Sequence, residues 1–228
     1  MLDLDWSALW LSLKVAGWAT AINLVLGVAL GALLARRRFP GREVLDTVFT
    51  LPLVLPPTVL GYYLLVLLGR NGPLGAWLQD SFGIHLVFTW QAAVIAAAVA
   101  SFPLVFKPAR AAFEGVDRQL EQAARTLGVS ELALFFRVSL PLAWRGILAG
   151  LLLAFARAMG EFGATIMVAG SIPGQTQTLS IAIYEAVQSG QDGRANLLVL
   201  VASLVCIVTL LLAAKLAGRS DRSRHDVA

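Results

Sequence analysis

EGVDRQLEQAARTLGVSELALFFRVSLPLAWR, residues 114–145, is a charged, helix-forming stretch set between two long apolar runs. Asp117 stands where a helix N-cap belongs, ahead of the helix formers QLEQAARTL. Gly128 suits the C-cap, and Ser130 is placed to cap a second helix, ELALFFRVSL. Pro141 sits where a third helix can begin, since proline is tolerated at the first helical position. The pattern predicts two short amphipathic helices joined at a glycine corner and leading into a membrane-crossing helix. A compact knob of this kind suits insertion into a partner's groove. The plainer alternative is a loop whose amphipathic faces rest on lipid headgroups.

The rest of the chain explains why such an elbow would lie at a membrane. Of 228 residues, 58% are hydrophobic and 14% are charged, whereas a soluble domain carries about 45–50% and about 25%. Crossing a bilayer takes roughly 20 mostly apolar residues. Five runs qualify, at about 7–35, 44–69, 86–106, 142–168 and 195–216, with the elbow inside a connecting segment, 107–141. The reading is an all-α polytopic helical bundle forming one membrane domain over 1–228. The second run contains Pro52, Pro56 and Pro57, which must break or kink its helix. Lys107-Pro108-Ala109-Arg110 marks the exit of the third. Two connections lie on the other side: 70–85, with an Asn71-Gly72-Pro73 turn, and 169–193, with a short amphipathic stretch at 179–187.

Lysine and arginine set the orientation. Fourteen of the eighteen basic residues fall in the loop after the first run, in the connecting segment with Arg145 just past it, or in the tail from Lys215. These parts are therefore expected to be cytoplasmic, with the N-terminus outside and the C-terminus inside. The opening MLDLDW is acidic where a cleaved leader would be basic, so the first run is expected to be retained. Cys206, the single cysteine, lies in an apolar run and reads as a packing residue. His85 and His225 have no partners at metal-ligand spacing, so no metal site is expected. The chain has no GxxxxGK[ST] phosphate loop, so any ATP hydrolysis belongs to another polypeptide. No catalytic constellation is present, and nucleic acid is not among the expected partners.

Two features point to a path for solute. Carbonyls freed by Pro56 and Pro57 at membrane depth are tolerated only inside protein or along a watery cavity. The fourth run carries AFARAMGEFGATIMVAG, residues 154–170, in which Arg157 and Glu161 are four apart and can pair. Arg157 lies 16 residues past Pro141, about 24 Å along a helix at about 1.5 Å per residue. Charges at such depth are functional candidates by default. Arg157 would lend positive potential to an anion, Glu161 would hold the arginine in position, Gly163 would permit close helix approach, and Thr165 would offer a hydroxyl. The competing account is an ion pair that only fixes helix packing. A secondary transporter or channel and a structural membrane scaffold are the rival classes. Neither inverted repeats nor midplane ionisable relays, the marks of the first, are visible.

The elbow resembles the coupling loop of ABC importer permeases. The residues that carry the likeness are Ala123, Ala124 and Gly128, then nine residues, then Val138-Ser139-Leu140-Pro141. The position of the family's glutamate is occupied by Gln122, with Glu121 immediately before it. The resemblance implies that Glu121, Gln122, Ala123, Ala124, Gly128, Val129, Ser130 and Pro141 dock on an ATPase subunit. LPLVLPPTVLGYYLL (51–65) and LAFARAMGEFGATIMVAGSIPGQTQTLSIAIY (153–184) extend the likeness to molybdate permeases, with sulfate/thiosulfate permeases sharing related segments. That family implies the type I importer fold, a multi-pass protein of the bacterial inner membrane, and a homodimer. It further implies two copies of a cytoplasmic ATPase that uses ATP and Mg, no cofactor bound by this chain, and a periplasmic or surface-tethered oxyanion-binding protein. Molybdate, with tungstate alongside, is the implied cargo, and sulfate or thiosulfate the alternative.

Overall fold

The computed structural model describes residues 6–37 and 39–225. Asp3, Asp5 and Arg38, and the side chains of the tail residues Arg219, Arg222, Arg224 and His225, all used above, lie outside the described residues. Every regular element among the described residues is helical.

The bundle is built on α1 (Ser7–Arg36) and α5 (Trp90–Glu114), which pack against each other more extensively than any other pair. Small side chains make this possible, because without water between apolar helices association depends on close van der Waals approach. Ala16, Ala19, Ala92, Ala93, Ala96 and Ala97 are all buried there. A methyl group on Gly31 would lie 3.0 Å from the backbone nitrogen of Arg110. Asn23 adds a polar clasp: its Nδ2 donates to the carbonyl of Ala98 and to Ser101 Oγ, both at 3.0 Å. Pro103 and Pro108 lie inside α5 without ending it. The helix therefore runs past the exit expected at residues 107–110, and α8 (Leu140–Met159) presses Gly150 to within 3.1 Å of the Pro108 ring for an added Cβ.

The second apolar run is two helices, α2 (Arg42–Val54) and α3 (Pro57–Leu68). A residue preceding proline is driven out of the α region. Leu55 precedes Pro56 and Pro56 precedes Pro57, so two successive residues are extended, with ψ of 138° and 137°. Pro57 then opens α3 at a position where no donor is needed. The direction of Arg42–Val54 differs from that of the stretch Pro57–Phe82 by 114°, and Pro52 sits within α2 without interrupting it. The described chain has four helices long and apolar enough to cross a membrane, or five if the bent pair counts as one crossing. A short helix, α4 (Pro73–Phe82), follows the turn at Asn71-Gly72.

The elbow comprises α6 (Arg118–Thr126) and α7 (Glu131–Leu134). Asp117 accepts from the Gln119 amide and Ser130 from the Ala133 amide, at 2.8 and 3.4 Å. Gly128 turns the corner at φ +78°, a conformation that costs other residues about 1–2 kcal/mol. No third helix starts at Pro141. Instead α7 passes through a π turn, Phe135–Ser139, into α8 (Leu140–Met159), one rod from Glu131 to Met159. Pro141 cannot donate to the helical ladder, and the widened turn just before it is where that ladder is already interrupted.

The fourth run is also divided. α8 stops at Met159, and α9 (Gly163–Ala169) starts after three irregular residues, Gly160, Glu161 and Phe162. Glu161 turns back so that its Oε1 accepts from the Ala164 amide at 3.0 Å, capping α9. The amphipathic stretch of the last connection is α10 (Leu179–Gln188), tied to α1 where the Leu179 amide donates to Ser12 Oγ at 2.7 Å. α11 (Asp192–His225) closes the bundle against α8 and α10.

Candidate coupling and translocation sites

The elbow has two faces with different chemistry. Glu121 points inward and is buried, although it lies on a surface helix. Its Oε1 accepts from Ser139 Oγ at 2.7 Å and is ion-paired with Arg36, which also donates to Ser139. The Arg36 guanidinium lies over Phe113 and Phe135, 5.9 and 5.7 Å from the ring centroids. One carboxylate thus fastens α6 to the end of α1 and to the π turn at the base of α8. Gln122, Ala123 and Gly128 face outward, as do Leu127 and Leu132 at the corner, 82% and 71% exposed. Val129 is half-buried, and Ser130 and Pro141 are outside the core. Across the corner Arg125 grips Glu131 with two contacts, Nε to Oε1 at 2.6 Å and Nη2 to Oε2 at 3.2 Å. This carboxylate holds the Arg125 guanidinium above its ordinary pKa.

A second charged cluster joins α2 to α5 beside the elbow. Asp46 pairs with Lys107 and Arg110, and Glu114 receives Arg42 at 2.6 Å and Arg110 at 3.0 Å. Above it Phe49 sits edge-on to Phe102 and Phe106.

At the far end of α8, Arg157 Nη1 lies 2.6 Å from Glu161 Oε2, as the spacing of four predicts. The Glu161 side chain is 1% exposed and that of Arg157 34%, so the arginine alone meets the chain's surface. Gly163 lies directly on Pro57, an added methyl group falling 2.7 Å from the proline Cβ. Gly61 and Ala164 meet one turn further along, at 2.9 Å for a Cβ on the glycine. The break between α2 and α3 is thereby packed on the break between α8 and α9. Pro56 and Pro57 are exposed in the isolated chain. Thr165 is buried, so its hydroxyl is withdrawn from the chain's surface.

An elbow with an anchored inner face and an exposed apolar corner thus stands at one end of a bundle whose two broken helices meet. The family model described as "Binding-protein-dependent transport system inner membrane component" matches residues 27–222. The chain belongs to this family. It is a multi-pass membrane component of such a system and not itself an enzyme, which removes the secondary-transporter and scaffold readings. The "Molybdenum transport system permease protein ModB" of Escherichia coli K12 is 49% identical over 92% of each chain. The "Sulfate transport system permease protein CysW" of Synechocystis is 38% identical over 90% of this chain and 74% of its own length. The fold matches that of a bacterial alginate ABC transporter crystallised with its alginate-bound periplasmic protein. The TM-score is 0.74 over 96% of this chain and 80% of the other, at 16% identity.

Sequence reasoning placed the elbow and the Arg157–Glu161 pair but missed Arg36, Ser139, Asn23 and Asp46. Asp46 and Asn23 carry a usable signal, a polar side chain inside an apolar run. Arg36 and Ser139 carry none: the first is one arginine of a basic cluster, the second one serine between Val138 and Leu140.

Proposed function

We propose that this chain is the permease subunit of an ATP-driven molybdate importer, with tungstate carried alongside. What supports the substrate is the match to a molybdenum permease, 49% identical along 92% of its length, where the sulfate permease is matched along 74% of its own. Two copies of the chain form the path, since five crossings give few walls for a solute. The N-terminus lies outside and the elbow in the cytoplasm, in keeping with the basic residues around it. A binding protein delivers the oxyanion from outside, and two copies of an ATPase, which hold the ATP and Mg, take the elbows into their grooves. Gln122, Ala123, Leu127 and Gly128 form the docking surface, while Glu121 acts from behind it.

In this mechanism ATP draws the elbows together and turns the spans outward-facing; hydrolysis releases them. The Arg36–Glu121–Ser139 junction makes the elbow, α1 and α8 move as one piece, so that displacement at the ATPase reaches the broken helices. Arg157 supplies positive potential to the passing anion. Its pairing with Glu161 keeps that attraction weak, as release on the far side requires.

The test is uptake of radiolabelled molybdate by cells lacking and regaining this chain, with its ATPase and binding protein present. Restored uptake that tungstate blocks and excess sulfate does not is the expected result. Competition by sulfate would replace the molybdate reading with a sulfate or general oxyanion permease.

A further inference from the structure

We propose that the cavity between the end of α1, the end of α5 and the elbow is a site for one anionic phospholipid. The cavity holds about 770 Å³. Five arginines and three glutamates line it, an excess of positive charge. Glu114, Glu121 and Glu131 are committed to Arg42 and Arg110, to Arg36, and to Arg125. Arg37 and Arg118 have no carboxylate partner among the described residues, and both are exposed at the rim. The Arg37 and Arg118 guanidiniums present donors to an acceptor that the described residues do not provide.

The opposite wall decides between a soluble anion and a lipid. Ala29, Ala32 and Leu33 of α1 form it. An exposed apolar stripe at helical spacing, Val25, Leu26, Ala29 and Leu33, runs from the membrane-embedded part of α1 into the cavity. A free phosphate has no use for that stripe, whereas an acyl chain lies along it while the headgroup phosphate meets the arginines. Basic pockets between spanning helices on the cytoplasmic side are where anionic headgroups bind. The cytoplasmic leaflet as the source rests on the proposed orientation; lipid binding itself depends on neither that orientation nor the transported anion.

The experiment uses the purified permease–ATPase complex, delipidated and then exchanged into nanodiscs of phosphatidylcholine doped with phosphatidylglycerol. Retained lipid is quantified after extraction. The expected result is selective retention of phosphatidylglycerol that falls about five-fold for each guanidinium removed in R37Q and R118Q. An R70Q control, one charge removed from the other end of the bundle, should leave it unchanged. Equal retention of both lipids would overturn the proposal, as would retention insensitive to R37Q/R118Q, the result expected if a second copy covers this face. Displacement of the lipid by millimolar inorganic phosphate would make this a soluble-anion site instead. Molybdate uptake is scored separately, so failure of the transport reading and failure of the lipid site are distinguishable.

Discussion

Gly163 and Pro57 are packed so closely that a side chain on the glycine would fall 2.7 Å from the proline Cβ. The contact joins the two discontinuities of the bundle, and neither partner can yield. The proline ring is rigid, and Gly163 opens a helix whose position Glu161 holds from the preceding residues. An inserted methyl group must therefore separate α3 from α9.

Gly163→Ala is expected to destabilise the protein by about 1–3 kcal/mol, the usual cost of overpacking, and to reduce uptake. Gly17→Ala is the internal control. It lies in α1 with nothing within 4 Å of its added Cβ, and there alanine should stabilise by about 0.5–1 kcal/mol. Thermal melts of the two purified variants, compared with wild type, check both signs. Equal melts would show that the α3–α9 contact is slack.

Gly128 is the opposite case. Its corner is spatially open, with nothing within 4 Å of an added Cβ, so only its positive φ opposes substitution. Gly128→Val should uncouple the importer, leaving protein in the membrane and ATP hydrolysis running while uptake falls. Gly128→Asn, which tolerates the left-handed region, should recover much of the loss. The ratio of ATP hydrolysed to molybdate imported in proteoliposomes is the measurement. Unchanged transport in Gly128→Val would remove the coupling role of the corner.

Glu121→Gln should act through Arg36. It leaves a half-buried guanidinium without its counter-charge while keeping a hydrogen-bonding group for Ser139. The expected cost is about 1–3 kcal/mol, reduced from that of a fully buried pair because Arg36 is 26% exposed. Uptake should fall more than ATPase binding does, because the proposed docking surface on Gln122, Ala123 and Leu127 is untouched. Ser139→Ala should cost less, about 1 kcal/mol, since the ion pair remains. Co-purification of the ATPase with each variant, set beside uptake, separates anchoring from docking. Loss of ATPase binding in Glu121→Gln would place that residue on the docking surface.

The elbow is readable from sequence because capping is settled over three or four residues: Asp117, Gly128 and Ser130 each act on their own neighbourhood. The α2–α3 break is readable for the same reason, since consecutive prolines dictate the backbone beside them. Glu121 shows the limit. Its partner Arg36 is 85 residues away, and nothing local tells an inward carboxylate from the solvated one that an amphipathic helix normally carries. The break at Gly160 is hidden too, because the run through 142–168 stays apolar and the helix is redirected by a single buried carboxylate. The π turn leaves only Pro141 as a trace, and a proline there reads equally well as a helix start. The proposed partner and cargo, which residue chemistry alone leaves open, rest on family resemblance.

Arg157 and Glu161 require a pair of variants, because the glutamate has two duties. Its Oε2 faces Arg157 and its Oε1 holds the Ala164 amide, so Arg157→Ala strands a buried charge at the junction of α8 and α9. Removing one partner of a buried pair costs about 3–5 kcal/mol, and loss of folded protein would then say nothing about transport. Arg157→Met with Glu161→Gln avoids this. The amide oxygen of glutamine can still accept from Ala164, the methionine fills the space of the arginine stem, and no charge is left unpaired. The double variant is expected to melt within about 1.5 kcal/mol of wild type, as volume-conserving exchanges do. Its molybdate uptake should nevertheless be slower, because the positive potential on the path is gone. Normal uptake in a stable double variant would assign the pair to packing alone and move the anion path elsewhere in the bundle.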